Sequence, residues 1–211
     1  MTRLVLASTS PYRRALLGRL GLPFEIHGPG VDEEAARGQG VDPEALVVGL
    51  ARAKAETVAR RLSDGPRRSD GSGDLMVIGS DQVAELQGEI LGKPGTPEKA
   101  RAQLRALAGR EHRLLTALCV IRRGEGQGEK RPWLRREALD VHLLRLRPLT
   151  DAQIARYVDR DQPLDCAGSY KVEGAGIALF EWIRGDDFTG VVGLPLTKLV
   201  AILAELGVTL P

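Results

Sequence analysis

A chain of 211 residues with 43% hydrophobic residues can bury a sizeable core, and it reads as one unit over residues 1–211 with a cleft. Thirty Lys and Arg against twenty-eight Asp and Glu leave a net charge of +2, and aromatics make up 4%, which argues against a basic, aromatic-rich nucleic-acid surface and against attraction to an anionic membrane. Cys119 and Cys166 stand far apart and outside any Cys-x-x-Cys pattern, no apolar run approaches a membrane span, and the apolar start is too short for a signal peptide, so the expected compartment is the reducing cytoplasm.

Leu4 to Ala7 reads as a strand, Ser8-Thr9-Ser10 as a turn, and Pro11 to about Leu20 as a helix started by Ser-Pro and stopped by Gly21. Hydroxyls, free backbone N–H groups, Arg13 and Arg14 would converge at that helix start. The result is either an anion site or a capped helix with two solvated arginines. Arginine in a first turn opposes the macrodipole by a few tenths of a kcal/mol, roughly, which favours the anion site. Val31-Asp32-Glu33-Glu34 is an acidic loop, where Glu33 becomes a metal ligand only in the company of other site residues.

A second helix is predicted from Asp42-Pro43 to about Leu62. Its four-residue row is Leu50, Lys54, Val58 and Leu62, so Lys54 must either snorkel outward or point at a negative partner. The second alternative makes Lys54→Met a variant that folds but loses phosphate chemistry. Ser63 to Asp74 contains no apolar residue and reads as a mobile loop.

Leu75 to Ile78 then reads as a buried strand, with Gly79-Ser80 as a turn that leaves Asp81 just past the strand's carboxyl end. Ligands bind at that place in open α/β sheets, although Asp after Gly-Ser also serves as a plain turn residue. Val83–Leu86 and Glu89–Leu91 flank Gln87-Gly88 as a hairpin ending in Gly92-Lys93-Pro94. The spacing there is one residue short of a Walker loop, with Pro94 where a magnesium-binding Ser or Thr would stand, so Lys93 is left as a point charge towards phosphate.

Thr96-Pro97-Glu98 begins a helix to Ala108, followed by two long strands, Arg113–Arg122 and Trp133–Arg147, around a turn at Gly124–Lys130. Leu139, Val141 and Leu143 alternate with Asp140 and His142, which predicts an apolar face inside and a polar face in solvent. His27, His112 and His142 lack metal-ligand spacing and read as structural or surface residues. Thr150-Asp151 caps a further helix. In Asp165–Gly176, Ser169, Tyr170, Lys171 and Glu173 sit among small residues that allow close approach to a ligand, the pattern of a recognition loop. Gly193-Leu194-Pro195 opens a closing helix.

Taken together, Leu6–Arg14, Val31-Asp32-Glu33, Ala53-Lys54-Ala55, Gly79–Val83, Gly92-Lys93-Pro94, Ala167–Gly174 and Val192–Pro195 resemble the Maf family of nucleoside triphosphate pyrophosphatases over nearly the whole chain. Gln82 after Asp81, and Cys166-Ala167-Gly168-Ser169-Tyr170-Lys171-Val172-Glu173-Gly174, look like the branch that hydrolyses 7-methyl-GTP. The pyrimidine branch typically carries Asp-Thr, an Arg at the position of Tyr12 and a Gln at that of Glu173. The 63–74 loop looks longer than is usual in the family, and Ala84 stands where relatives of this branch often have Cys.

The resemblance implies a Maf/ITPase-like two-lobed α/β fold, with a mixed central sheet flanked by helices and a cleft between the lobes. It also implies a divalent cation, Mg2+ or Mn2+, and cleavage of a nucleoside triphosphate to the monophosphate and pyrophosphate. Asp81 falls at the proton acceptor; Tyr12, Gln82 and Glu173 fall at the specificity positions; Ser8, Arg13, Glu33, Lys54 and Lys93 match the remaining polar positions. On chemical grounds Asp81 and Glu33 are the candidate metal ligands, while Ser8, Arg13, Lys54, Lys93 and, more weakly, Arg14 would grip phosphate. The expected partner is the nucleotide, with no nucleic acid or membrane and with a homodimer left open. Two alternatives stand beside this reading: a pyrimidine or broad-range nucleotide pyrophosphatase, and a non-catalytic regulator of cell division.

Overall fold

Apolar strands that pair far along the chain form the spine of the molecule, and the computed structural model describes residues 2–33, 41–63, 74–123 and 133–210. β1 (Arg3–Ala7) lies parallel to the first part of β3 (Leu75–Leu86), with Leu4 beside Met76 and Leu6 beside Ile78, and β2 (Glu25–Ile26) adds to the outer edge of β1. β4 (Glu89–Leu91) folds back on β3, while β5 (Glu111–Arg123), β6 (Trp133–Leu146) and β7 (Phe180–Arg184) continue antiparallel across the other edge. The sheet is therefore mixed, in the order β2-β1-β3-β5-β6-β7 with β4 on β3. The turn expected at Gly124–Lys130 lies outside the described residues, as does the expected mobile loop at 63–74 apart from its two end residues.

Helices α1 (Pro11–Gly18), α3 (Pro97–Leu107) and α4 (Asp151–Asp161) begin where the sequence places hydroxyl caps. Ser10, Thr96 and Thr150 accept from the backbone N–H three residues on, and Thr150 completes a capping box with Gln153. Helix α2 (Pro43–Ser63) covers one face of the sheet, packing Val47, Leu50, Ala51 and Ala55 against Val77, Val83, Leu115 and Ala117. On the opposite face α1 and α6 (Leu196–Glu205) cover Leu6, Ile78, Leu118 and Val120 at one end. At the other end, helices α3 and α4 cover Leu86, Leu114, Leu144 and Leu146. Short α5 (Phe188–Val192) meets strands of this sheet too, packing on β5 and β6. No helix among the described residues is long and apolar enough to cross a membrane.

Two expectations are corrected here. The strand does not end at Ile78: β3 runs unbroken through Gly79-Ser80-Asp81-Gln82 to Leu86, paired with β5 from Met76 to Glu85. Gly79 is not a turn residue but a contact point, because a Cβ there would overlap the carbonyl of Ala51 and the amide of Ala55 on α2. The second correction concerns β6, whose polar face is the buried one. Asp140 and His142 are each 1% exposed, whereas Val141 and Leu143 are 40% and 44% exposed. The polar face is tolerated inside because Lys198 Nζ lies 3.3 Å from Asp140 Oδ1, and because Gly185 and Gly190 let the covering backbone approach.

His112 is structural, as its spacing implied. It is buried on β5, shares a 3.0 Å hydrogen bond with the Tyr170 hydroxyl and lies against the Phe180 ring. Burial lowers its pKa to about 4, with Glu85 opposing. The unfolded imidazole, near 6.5, takes up its proton first, so stability is full above that value and falls as pH drops from about 6.5 towards 4. Urea unfolding of the native chain should lose about 2–3 kcal/mol over that window, and His112→Asn should remove that part of the slope.

Candidate active site

A gap in strand pairing creates the cleft. On one edge of β3, residues 75–79 pair with β1 and residues 84–86 with β4, so among the described residues Ser80–Val83 have a strand neighbour only on the β5 side. Alternation along a strand sends Asp81 towards the α2 face and Gln82 towards the opposite one. At the gap both still reach the same cleft.

At its base Lys54 settles the alternative its apolar row left open. It is 3% exposed and points inward, with Nζ 2.5 Å from Asp81 Oδ1 and 2.6 Å from Glu33 Oε1. Lys93 Nζ reaches the other Glu33 oxygen at 3.3 Å. Burial pushes the Glu33 carboxyl up, but the two lysines outweigh it and hold the pKa at about 2. Asp81 is 3% exposed, and its Oδ2 has no hydrogen-bond partner among the described residues. Arg13 adds a further cation: Nε donates to the Gly193 carbonyl at 2.9 Å, and burial lowers its pKa while Asp81 and Glu33 oppose that shift.

The entrance to α1 supplies donors. Ser8 Oγ accepts from the Ser10 amide at 3.1 Å, and Ser10 Oγ accepts from the Arg13 amide at 3.4 Å. A hydroxyl that accepts from the backbone keeps its own O–H to donate, so both remain able to meet an anion. Arg14, one residue past Arg13, turns about 100° away around the helix and is exposed off the cleft.

Of the ten site residues expected, Ser8, Tyr12, Arg13, Glu33, Lys54, Asp81, Gln82, Lys93 and Glu173 line this one cleft, and Arg14 does not. Burial raises the Tyr12 pKa, with the Lys171 ammonium opposing, and raises that of Glu173 at the exposed rim, with a backbone hydrogen bond opposing. The expected recognition loop divides. Ser169 is buried and donates to Gln103 Oε1 at 2.5 Å, and Tyr170 borders the cleft but is 5% exposed, packing edge-on against Phe180. Gly168 at φ +72° makes the tight turn that carries these two inward. Sequence reasoning missed Thr116 and the α5 carbonyls of Gly190 and Val191, which hold Gln82, and the Gly193 carbonyl just past α5, which holds Arg13. The available signal was a lone polar residue in the apolar run Leu114-Leu115-Thr116-Ala117-Leu118.

Comparison with known proteins agrees with the resemblance drawn from the motifs. A family model described as Maf-like protein matches residues 3–206. A protein of Xanthomonas axonopodis pv. citri (strain 306) named 7-methyl-GTP pyrophosphatase is 48% identical over 211 residues, covering 100% of both chains. One of the same name from Pseudomonas aeruginosa is 45% identical over 211 residues, again covering 100% of both. Among solved structures, a HAM1 protein from Coxiella burnetii aligns at TM-score 0.45 and 14% identity, over 97% of this chain and 100% of its own.

Proposed function

This chain belongs to the Maf-like protein family, and we propose that it hydrolyses a nucleoside triphosphate to the monophosphate and pyrophosphate, with preference for 7-methyl-GTP. The observation that carries the reading is the Asp81–Lys54–Glu33 cluster, at the base of a cleft whose other walls hold Arg13, Lys93 and the α1 entrance. Full-length relatives at 45–48% identity named 7-methyl-GTP pyrophosphatase support the choice of base.

In this reaction the oxygen of water bonds to the α-phosphorus, the bond from that phosphorus to the α–β bridging oxygen breaks, and pyrophosphate leaves. Asp81 would accept the water's proton, and its buried Oδ2, without a hydrogen-bond partner among the described residues, is the oxygen left for it. Lys54, Lys93 and Arg13 would balance the charge that grows on the leaving group. A Mg2+ or Mn2+ ion would be held by Glu33 and Asp81 only in exchange for lysine contacts, since Lys54 takes an oxygen of each and Lys93 the second Glu33 oxygen, and substrate phosphate oxygens would complete it, magnesium taking one or two carboxylates; among the described residues no group of three or more His, Cys, Asp or Glu could hold a metal. Bound there, such an ion would act as a Lewis acid on the phosphoryl oxygens.

At the base end, Glu173 would accept from the N1–H and amino group of guanine. Methylation at N7 makes the purine cationic, and the Tyr12 ring would attract its face by about 0.5–2 kcal/mol. The test is product analysis with magnesium across 7-methyl-GTP, GTP, UTP and dTTP. Pyrophosphate and monophosphate should appear fastest from 7-methyl-GTP. Faster turnover of UTP or dTTP would make the chain a pyrimidine enzyme, and no turnover of any nucleotide would favour a non-catalytic role.

A further inference from the structure

Gln82, Thr116 and Asp140 form one row across three strands, with Gln82 in register with Thr116 and Thr116 in register with Asp140. Helix α5 lies directly on this row, since a Cβ on Gly190 would overlap the Asp140 carboxylate. Gln82 Nε2 is 2.9 Å from the Gly190 carbonyl, 3.1 Å from the Val191 carbonyl and 2.9 Å from Thr116 Oγ1. Thr116, fully buried, donates its own hydroxyl proton to the Gly190 carbonyl at 2.9 Å, so towards Gln82 it can only accept. Three acceptors thus surround the inner atom of the Gln82 carboxamide. Turned over, the amide would set Oε1 against all three.

We propose that Thr116 is a positioning residue which, with the Gly190 and Val191 carbonyls, locks the Gln82 carboxamide with its nitrogen inward, so that Oε1 is the atom offered to the cleft. Position 82 then works as an acceptor and selects a base edge that carries N–H donors. This inference rests on the nucleotide reading above. Guanine presents adjacent donors, N1–H and the amino group, and Gln82 with Glu173, which line the same cleft, would supply acceptors for them. Uracil presents one N–H between two carbonyls, which would face those acceptors unfavourably.

The test compares Thr116→Val, which keeps the shape and removes the hydroxyl, with Thr116→Ser, which keeps the hydroxyl. KM and kcat are read for 7-methyl-GTP and UTP. Thr116→Val should raise KM for 7-methyl-GTP about tenfold, with a smaller change in kcat, and lower its preference over UTP, while Thr116→Ser restores both. Unchanged KM and preference in a folded Thr116→Val overturn the positioning role and leave the proposed reaction standing. A native chain that prefers UTP overturns the selection, and one that turns over no nucleotide overturns both readings. Should Thr116→Val fail to fold, side-chain NMR of the native protein decides: slow solvent exchange of the Gln82 carboxamide protons supports the lock, and fast exchange overturns it.

Discussion

Asp81→Asn is expected to fold like the native chain and to lose about 10³-fold in kcat/KM for nucleotide hydrolysis. The substitution keeps the shape of the side chain. Its Oδ1 can still accept from Lys54 Nζ, now 2.5 Å from the carboxylate, and Lys54 keeps Glu33 at 2.6 Å, so no buried cation is stranded. What disappears is the basic oxygen. The Oδ2 that has no partner among the described residues becomes an amide nitrogen that cannot take a proton. Pyrophosphate release with 7-methyl-GTP, measured beside thermal unfolding, separates the two effects. More than a tenth of native activity in a folded variant would remove Asp81 as proton acceptor.

Lys54→Met is expected to abolish hydrolysis and also to destabilise the chain by about 3–5 kcal/mol, because it leaves the buried Asp81 carboxylate without its cation. This revises the expectation drawn from the apolar row alone, in which a methionine would sit comfortably. Burial of both partners reverses the outcome: Lys54 and Asp81 are each 3% exposed, so water cannot solvate the charge left behind. Adding Asp81→Asn to Lys54→Met should recover a substantial part of the lost stability and none of the activity. Urea unfolding of the two single variants and the double variant supplies the coupling. A Lys54→Met chain as stable as the native one would show that the pair does not hold the cleft.

Much of the fold was legible along the chain because its signals act over a few residues. Ser10, Thr96 and Thr150 cap helices where Ser-Pro, Thr-Pro and Thr-Asp predict starts, and Gln87-Gly88 turns the β3–β4 hairpin with both residues at positive φ. The site was legible for a different reason: charged and amide side chains next to apolar runs, at Lys54, Asp81 and Gln82, are costly in a core unless something meets them. Ser169 and Tyr170 misled for the converse reason. Polar atoms in a glycine-rich loop look available for a ligand, yet Gln103 and His112 take them up from elements far away in sequence.

Strand and helix positions, caps and most of the residues at the cleft were thus written in local pattern, where spacing and capping chemistry operate. Three features depended on distant chain segments meeting. β3 continues through Asp81 because β5 pairs with it along that stretch, and the cleft opens there because β1 and β4 leave residues 80–83 unpaired on one edge. The polar side of β6 faces inward because Lys198, Gly185 and Gly190 come to cover it. Gln82 has one amide orientation because Thr116 and two α5 carbonyls, 34 and more than 100 residues away, converge on its nitrogen. Periodicity says that a side chain alternates, but only the packed partners decide which side is buried and which atom is left to meet a ligand.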